Sequence, residues 1–288
     1  MADQGSTGPA AAAPTPAAPP PSLAAPAGPN IFEILATPIL DAVTHVGRFS
    51  IFVGYLLLQS PRGLRYFRQF ISQCVYIGIG SLPLVVVTSL FIGAVAAVQA
   101  AYQFQNNVPL LWLGSVIARS VVIEVGPVLT ALVMGGRVGA SMAAELGTMR
   151  VTEQIDAVET LALDPVRYLA VPRMLASTLM VPMLTIFANF LAIIGGLIVA
   201  VASVGITPHL YFKGMRLFFD TNDIWAGLIK SVVFGAIIGV SGCYYGFKTE
   251  GGAEGVGVAT TRAVVFACVM ILVSDYFLAE LLLRLLFH

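Results

Sequence analysis

Charged residues are scarce in this sequence. There are 15 Lys and Arg and 15 Asp and Glu among 288 residues, and the formal net charge is zero. Because there is no basic excess, nothing in the composition indicates nucleic-acid binding. Hydrophobic residues make up 58% of the chain, which is more than a water-soluble globular domain carries. The composition therefore predicts an integral membrane protein with the bilayer as its solvent.

Residue types that commonly carry chemistry are also few. The three cysteines and three histidines are widely spaced and form no metal-binding or disulfide pattern. The sequence has no Ser-His-Asp or paired-carboxylate arrangement, and no G-x-x-x-x-G-K-[ST] nucleotide-binding loop. We therefore predict that this chain is not an enzyme, and that it has no catalytic residue, metal or cofactor of its own.

The first part of the chain differs from the rest. Residues 1–30 are dominated by Ala and Pro and carry one charge, Asp3. They have neither the basic start nor the continuous apolar core of a signal peptide. Because such a segment can bury little apolar surface, we expect a disordered tail.

Five apolar segments are long enough to cross about 30 Å of hydrocarbon at about 1.5 Å per residue. They are residues 71–104, 110–147, 174–204, 224–247 and 263–287. The sequence therefore predicts an all-α integral membrane protein with five transmembrane helices in a domain of residues 69–288. The glycine-rich stretch 248–261 is predicted to be a connecting loop.

Residues 31–60 have two interpretations. Their polar side chains fall near helical spacing on one stripe, with apolar side chains opposite; the polar residues are Asp41, His45, Arg48, Tyr55 and Gln59. This pattern is typical of a helix lying in the membrane interface. We predict an interfacial amphipathic helix and connector over residues 31–68. The alternative is a sixth transmembrane helix whose polar stripe packs inside a bundle.

Positive charges are unequally divided between the two predicted sides of the membrane. With five transmembrane helices, most Lys and Arg residues outside the helices fall on the side that contains Arg150. The other side has only Lys213, Arg216 and Arg284. The positive-inside rule then places the N-terminus in the cytoplasm and the C-terminus outside.

One charged segment, residues 145–173, interrupts the apolar sequence. Apolar residues recur there at helical spacing beside a stripe of carboxylates; the apolar residues are Val151, Ile155, Val158 and Ala162, and the acidic residues are Glu153, Asp156 and Glu159. Asp164 and Pro165 are expected to end this helix. We predict a cytoplasmic amphipathic helix of about residues 150–164 that contacts a partner. An ordinary solvated connector is the alternative.

Several ionisable residues lie within the predicted transmembrane helices. They include Arg119, Glu124, Arg137 and Glu145 on the second, Lys230 on the fourth and Asp275 on the fifth. A charge at membrane depth costs at least about 2.5 kcal/mol on insertion scales, so each should face protein, water or substrate. Glycine and alanine residues four apart, such as Gly235 and Gly239, predict close helix packing.

The segment Glu124–Pro165, EVGPVLTALVMGGRVGASMAAELGTMRVTEQIDAVETLALDP, resembles the MlaE or YrbE permease family. Members of that family are membrane subunits of ABC transporters that work with MCE-domain proteins. The resemblance continues in VPR at 171–173, LIKSVVFG at 228–235 and GVGVATTRAVV at 255–265. It covers roughly residues 40–288.

This resemblance implies a homodimer of five-span subunits in a bacterial inner membrane. It also implies that residues 151–163 form a coupling helix, seated in a groove of a cytoplasmic ABC ATPase that binds ATP and Mg. The implied contacts are Val151, Glu153, Ile155, Asp156, Val158, Glu159 and Asp164. The missing nucleotide-binding loop agrees with a separate ATPase subunit.

The resemblance further implies a lipid-binding cavity between the two subunits. Glu124 and Lys230 match polar positions near that cavity, where the lysine would attract a phosphate head group. Family members often carry Arg directly before the glutamate, whereas this chain has Ile123, and Arg119 is the candidate substitute. The candidate acyl-chain contacts lie on one face of the first transmembrane helix: Phe91, Val95, Val98 and Tyr102. A structural ion pair is the alternative role for Glu124 and Lys230.

The preferred hypothesis is a permease subunit that moves phospholipid between the inner membrane and a periplasmic MCE protein, driven by the separate ATPase. One rival is an autonomous secondary transporter or channel that uses Glu124, Lys230 and Asp275 as an ion pathway. It predicts internal repeats, and none is evident in the sequence. A second rival is a scaffold for the MCE protein, which would need no charges within its transmembrane helices.

Overall fold

The structure is a computed structural model that describes residues 31–63, 66–104 and 109–286. All regular elements in these ranges are helical. In chain order they are α1 (Ile31–Gly63), α2 (Phe67–Gln103), α3 (Leu111–Ser120), α4 (Gly126–Met134), α5 (Ala140–Val151), α6 (Gln154–Thr160), α7 (Val171–Val204), α8 (Pro208–Phe218), α9 (Thr221–Phe247) and α10 (Gly252–Leu286). Three π-helical segments, Val121–Val125, Gly135–Gly139 and Val166–Ala170, precede α4, α5 and α7.

Five helices are long and apolar enough to cross a membrane. They are Phe67–Gln103, Leu111–Val151, Val166–Val204, Thr221–Phe247 and Gly252–Leu285. The prediction of an all-α membrane protein with five transmembrane helices is therefore confirmed. Helix α1 is not among the five, and its place in the membrane interface stays a prediction. The predicted tail, residues 1–30, lies outside the described residues.

The boundary of the fifth transmembrane helix differs from the prediction. Residues 248–261 were predicted to be a loop, but only Lys248–Gly251 connect α9 to α10. Gly251 and Gly252 have φ angles of 87° and 71°, which only glycine adopts readily, and they make the turn. The later glycines of this stretch belong to α10, because glycine is common in transmembrane helices and does not by itself end one.

The third transmembrane helix also begins before its predicted start at residue 174. Its first described segment is Val166–Ala170, directly after Pro165. Pro165 was expected to end the preceding helix, but that helix already ends at Thr160. Proline instead stands where a helix begins, because a first-turn residue needs no N–H donor.

The chain divides into two units, residues 1–47 and 48–288, and the packing described below is that within the second. Five crossings place successive connections on alternating sides of the membrane domain. One side, which we call the α6 side, has residues 152–165 and 248–251. The opposite side, the α8 side, has residues 205–220.

Glycines allow the helices to approach one another at backbone distance. A Cβ atom on Gly93 of α2 would lie 1.7 Å from the Ala192 carbonyl oxygen of α7. Helix α9 packs against two neighbouring helices at its glycines. A Cβ on Gly235 would lie 2.6 Å from the Ser177 carbonyl oxygen of α7. Further along α9, Gly242 would bring a Cβ within 2.9 Å of α5. Close packing at these small residues is therefore confirmed.

Candidate functional site

An apolar cavity of about 740 Å³ opens between α2 and the second transmembrane helix. Helix α2 contributes Phe91 and Val95, and the facing wall includes Val116 of α3 and Leu129 of α4. Among the described residues, no charged side chain lines this cavity. Its polar lining residues are Thr88, Gln99, Gln103 and Ser120. The cavity can therefore accommodate hydrocarbon, with hydrogen-bonding groups at a few points.

The candidate acyl-chain contacts are divided between this cavity and the outer surface of α2. Phe91 and Val95 line the cavity, whereas Val98 and Tyr102 are exposed on α2 but do not line it. The cavity wall instead follows Ile92, Ala96 and Gln99. Residues one position apart differ by about 100° around a helix, so spacing alone did not distinguish these two exposed faces.

Lys230 and Glu124 are in contact, but outside this cavity. The Lys230 ammonium is 1% exposed and forms ion pairs with Glu124 and with Asp275, whose Oδ1 lies 2.9 Å from Nζ. The three groups join the second transmembrane helix to α9 and α10. Glu124 and Lys230 line a separate pocket of about 30 Å³. We call these three residues the Lys230 triad.

The Lys230 triad is poorly placed to bind a phosphate head group. Its lysine is buried between two carboxylates, and the formal charge of the three groups is −1. The most exposed member is Glu124, whose side chain is 44% exposed. An approaching phosphate would therefore meet a carboxylate before the ammonium. This arrangement agrees with the alternative interpretation of Glu124 and Lys230 as a structural ion pair.

Arg119 contacts a residue that the sequence interpretation missed. Its Nε lies 2.9 Å from Oδ2 of Asp223, which is fully buried at the start of α9. Asp223 also accepts a hydrogen bond from the Asp220 backbone N–H at 3.2 Å, as part of a capping box. The Asp-x-x-Asp spacing could have indicated this cap. Arg119 thus pairs with Asp223 and not with Glu124.

Two further charged residues of the second transmembrane helix also contact protein groups. Glu145 accepts a hydrogen bond of 2.7 Å from Arg173 at the start of α7. Arg137 donates to the Ser81 hydroxyl and lies 5.9 Å from the centre of the Tyr76 ring. These contacts join the helix to α7 and α2.

The predicted coupling helix is shorter than expected. A helix of about residues 150–164 was predicted, but α6 has seven residues, Gln154–Thr160. Val151 ends α5 instead, and Ala162 lies beyond α6. Glu153 and Ala162 have φ angles of 59° and 57°, and these left-handed residues break the helix at both ends. The prediction of one continuous apolar face with Val151, Ile155, Val158 and Ala162 is therefore wrong. Only Ile155 and Val158 belong to α6.

Two of the candidate ATPase contacts, Ile155 and Asp164, already contact other residues of the chain. Ile155 is 2% exposed and packs in a core cluster with Leu146 of α5 and Val171 of α7. Asp164 accepts hydrogen bonds from the Tyr55 hydroxyl and from the Val166 backbone N–H, the latter at 3.0 Å. The hydrogen bond to Asp164 raises the pKa of the Tyr55 hydroxyl.

The outward surface of α6 and its flanking turns is acidic. Glu153, Asp156 and Glu159 are exposed, and Asp156 pairs with Arg150 at 2.5 Å. Leu161, which is 71% exposed, lies beside them in the turn after α6. We call this group of four residues the α6 surface. It exposes carboxylates and one large apolar side chain at the surface of the chain.

Comparison with known proteins adds to this geometry. The family described as "Permease MlaE" matches residues 70–281. A "Probable ABC transporter permease protein" of Rickettsia bellii is 38% identical over 255 residues, which is 88% of this chain and 98% of the relative. A "Probable ABC transporter permease protein" of Synechocystis sp. is 40% identical over 80% of this chain and 88% of the relative.

A more distant relative has a name that specifies its cargo. The "Intermembrane phospholipid transport system permease protein MlaE" of Haemophilus influenzae is 30% identical over 254 residues, covering 88% of this chain and 97% of the relative. All three relatives are named as permeases and none as an enzyme, as the sequence predicted. The chain has five helices that can cross a membrane, and the family match extends from the first of them to the fifth. This chain is therefore a multi-pass membrane protein of the MlaE permease family.

Proposed function

We propose that this chain is the membrane subunit of an ABC transporter that moves phospholipid between the bacterial inner membrane and a periplasmic MCE protein. The observation that carries the proposal is the uncharged cavity between α2 and the second transmembrane helix. Burial of hydrocarbon is favourable by about 0.8 kcal/mol per CH₂ group, so acyl chains are suited to it. The name of the Haemophilus influenzae relative supports phospholipid as the cargo.

The position of polar residues suggests how a lipid would lie in the cavity. Gln99 and Gln103 are near the end of α2 on the α8 side. The positive-inside rule makes this side periplasmic, with the N-terminus in the cytoplasm and the C-terminus in the periplasm. The acyl chains would occupy the apolar part, and the head group would lie at the periplasmic end. There it could pass to or from the MCE protein.

A second copy of the chain would complete the cavity. Phe91 and Val95 expose their side chains at the cavity, and Val98 and Tyr102 expose theirs on the adjacent surface of α2. In a homodimer these residues would face the partner subunit across a shared lipid-filled space. Val98 and Tyr102 would then contact lipid from outside the cavity wall.

The ATPase would act on this chain through the α6 surface. Because the sequence has no nucleotide-binding loop, ATP and Mg would be bound by a cytoplasmic ABC ATPase. Buried Ile155 would transmit movement of α6 to α5 and α7. Helix α4, which carries cavity residue Leu129, lies between the π-helical segments Val121–Val125 and Gly135–Gly139. Such segments often mark functional sites, and here they would let α4 move relative to α5.

The rival hypothesis of an ion pathway is less well supported. It requires Glu124, Lys230 and Asp275 to bind a moving ion or proton. In the structure, the Lys230 side chain is 1% exposed and forms ion pairs with both carboxylates. We therefore assign the Lys230 triad to holding the second transmembrane helix against α9 and α10.

Narrowing the cavity should block lipid transfer. Leu129→Trp inserts a larger side chain into the cavity, and overpacking of this kind costs about 1–3 kcal/mol, so we expect transfer to fall by about tenfold. The measurement is ATP-dependent transfer of a fluorescent phospholipid by the chain reconstituted with its ATPase and MCE protein. Leu179→Trp is the matched control, because Leu179 is exposed on α7 outside the cavity. Equal transfer by both variants would contradict the proposed lipid path.

Reversing a charge on the α6 surface should weaken ATPase binding. Exposed ion pairs contribute about 0.2–1 kcal/mol and like charges repel, so Glu159→Lys should raise the Kd for the ATPase by about fivefold. Titration of purified ATPase against the chain in nanodiscs measures this Kd. Glu280→Lys on α10 makes the same charge change towards the opposite end of the membrane domain, and it should leave the Kd unchanged. The idea is wrong if Glu159→Lys binds like the parent protein.

Removal of Lys230 should destabilise the fold more than it impairs lipid binding. Lys230→Met leaves two carboxylates without their cation, which costs on the order of 3–5 kcal/mol. We expect a lower unfolding midpoint in detergent, largely restored in Lys230→Met/Glu124→Gln/Asp275→Asn because that variant has no unpaired charge. The restored variant should also transport lipid. A stable triple variant that cannot transport would instead show that Lys230 acts on the lipid.

A further inference from the structure

Helix α8 lies at the membrane surface on the α8 side. It joins the third and fourth transmembrane helices through two short connections, residues 205–207 and 219–220. Thr207 caps its first turn by accepting a hydrogen bond from the Leu210 backbone N–H. Because both ends are held close to transmembrane helices, α8 cannot extend far from the bilayer.

The inner face of α8 is fixed against the wall of the lipid cavity. Tyr211 is fully buried in a cluster with Leu113 and Ile117 of α3. A Cβ atom on Gly214 would lie 1.9 Å from the Leu111 carbonyl oxygen, so the two backbones are in contact. Ile117 also lines the 740 Å³ cavity. Helix α8 therefore lies directly behind one part of the cavity wall.

The outer face of α8 is basic. His209, Lys213 and Arg216 are exposed and recur at i, i+4 and i+7, which places them on one face. Together with Phe212 and Leu217 they line a surface cavity of about 530 Å³. We call these five residues the α8 surface. Phe212 and Leu217 are 39% and 58% exposed, so the surface combines cations with apolar side chains.

The cations of the α8 surface have no acidic partner among the described residues. In the part of the chain that the structure describes, no ion pair involves Lys213 or Arg216. The nearest acidic residues in the sequence have other contacts. Asp220 accepts the Asn222 backbone N–H, and Asp223 binds Arg119. An anionic ligand would therefore find two cations available.

We propose that the α8 surface binds the head group of an anionic phospholipid in the adjacent leaflet. The phosphate would lie against Lys213 and Arg216, with His209 beside it, and the upper acyl chain would cover Phe212 and Leu217. A basic face next to apolar residues, held at the bilayer, is the pattern of interfacial lipid binding. A free phosphate ion would use the cations but leave both apolar side chains exposed.

The α8 surface is a different site from the cavity, and binding there does not depend on transport. It would concentrate negatively charged lipid next to the cavity wall formed by α3. It would also separate two tasks, because the cavity accepts acyl chains whereas the α8 surface selects the head group. A lipid held at the α8 surface would thus lie next to the cavity wall, outside the cavity itself.

Native mass spectrometry of the full chain tests this proposal. The protein is released from mixed micelles with equal phosphatidylglycerol and phosphatidylcholine, and the ratio of the two bound lipids is recorded without ATP. A basic residue near an anionic membrane contributes attraction equivalent to roughly fivefold in binding. We expect the parent chain to prefer phosphatidylglycerol. Lys213→Gln should reduce the ratio by about fivefold, Lys213→Gln/Arg216→Gln should reduce it further, and Lys213→Arg should retain it.

Arg284→Gln provides the matched control, because it removes one positive charge from α10, where Arg284 already pairs with Glu280. It should keep the parental lipid ratio. The proposal is overturned if Lys213→Gln/Arg216→Gln retains the ratio, or if Arg284→Gln lowers it equally. It is also overturned if the lipid ratio is retained while an acidic protein no longer co-purifies, because the α8 surface would then bind protein. Since ATP is absent, a failure of lipid transport cannot be mistaken for any of these results.

Discussion

Ion pairs hold the second transmembrane helix against its neighbours at three heights in the membrane domain, and the other functional features depend on that attachment. From the α8 side to the α6 side, the pairs are Arg119–Asp223, Glu124–Lys230–Asp275 and Glu145–Arg173. A charge in hydrocarbon is costly unless it has a partner. The pairing of these groups therefore determines which face of the helix is turned towards α7, α9 and α10.

Another part of the surface of the same helix forms the cavity wall. Its uncharged residues, among them Val116 and Leu129, face α2 across about 740 Å³. The helix continues through α5 to the turn before α6, where Ile155 returns to the core. One helix thus connects the cavity to the α6 surface. Arg119, Glu124 and Glu145 pair with groups on α7, α9 and α10. Arg137 contacts α2 away from the cavity. Among the described residues, therefore, no charged side chain lines the cavity.

The sequence predicted most of the fold, because apolar length and charge distribution are sufficient to define five transmembrane helices. Helix ends were harder to predict. Residues 248–261 were interpreted as a loop from their glycines, whereas the structure continues α10 back to Gly252. The coupling helix was predicted to be too long. Glu153 and Ala162 interrupt it with left-handed backbone conformations, which periodicity in the sequence does not show.

The candidate site was only partly predictable for a different reason. The sequence identified the charged residues of the transmembrane helices, but a pair such as Arg119 and Asp223 joins residues far apart in the chain. Lys230 was interpreted as a head-group contact because the family resemblance placed it near a lipid-binding cavity. Its second carboxylate partner, Asp275, lies on another helix and changes that interpretation. Spacing within one helix cannot supply such contacts.

The most direct test of this account is photocrosslinking of lipid to the cavity wall. A benzoyl-phenylalanine would replace Ile92, which lines the cavity, or Phe190, which is exposed on α7 outside it. The assembled transporter would then be illuminated in vesicles that contain radiolabelled phospholipid, with and without ATP. The account predicts labelling at position 92 that changes with ATP. Position 190 faces the bilayer, and its labelling should be the same with and without ATP. Labelling at position 92 that ATP does not change would contradict a transported lipid in this cavity.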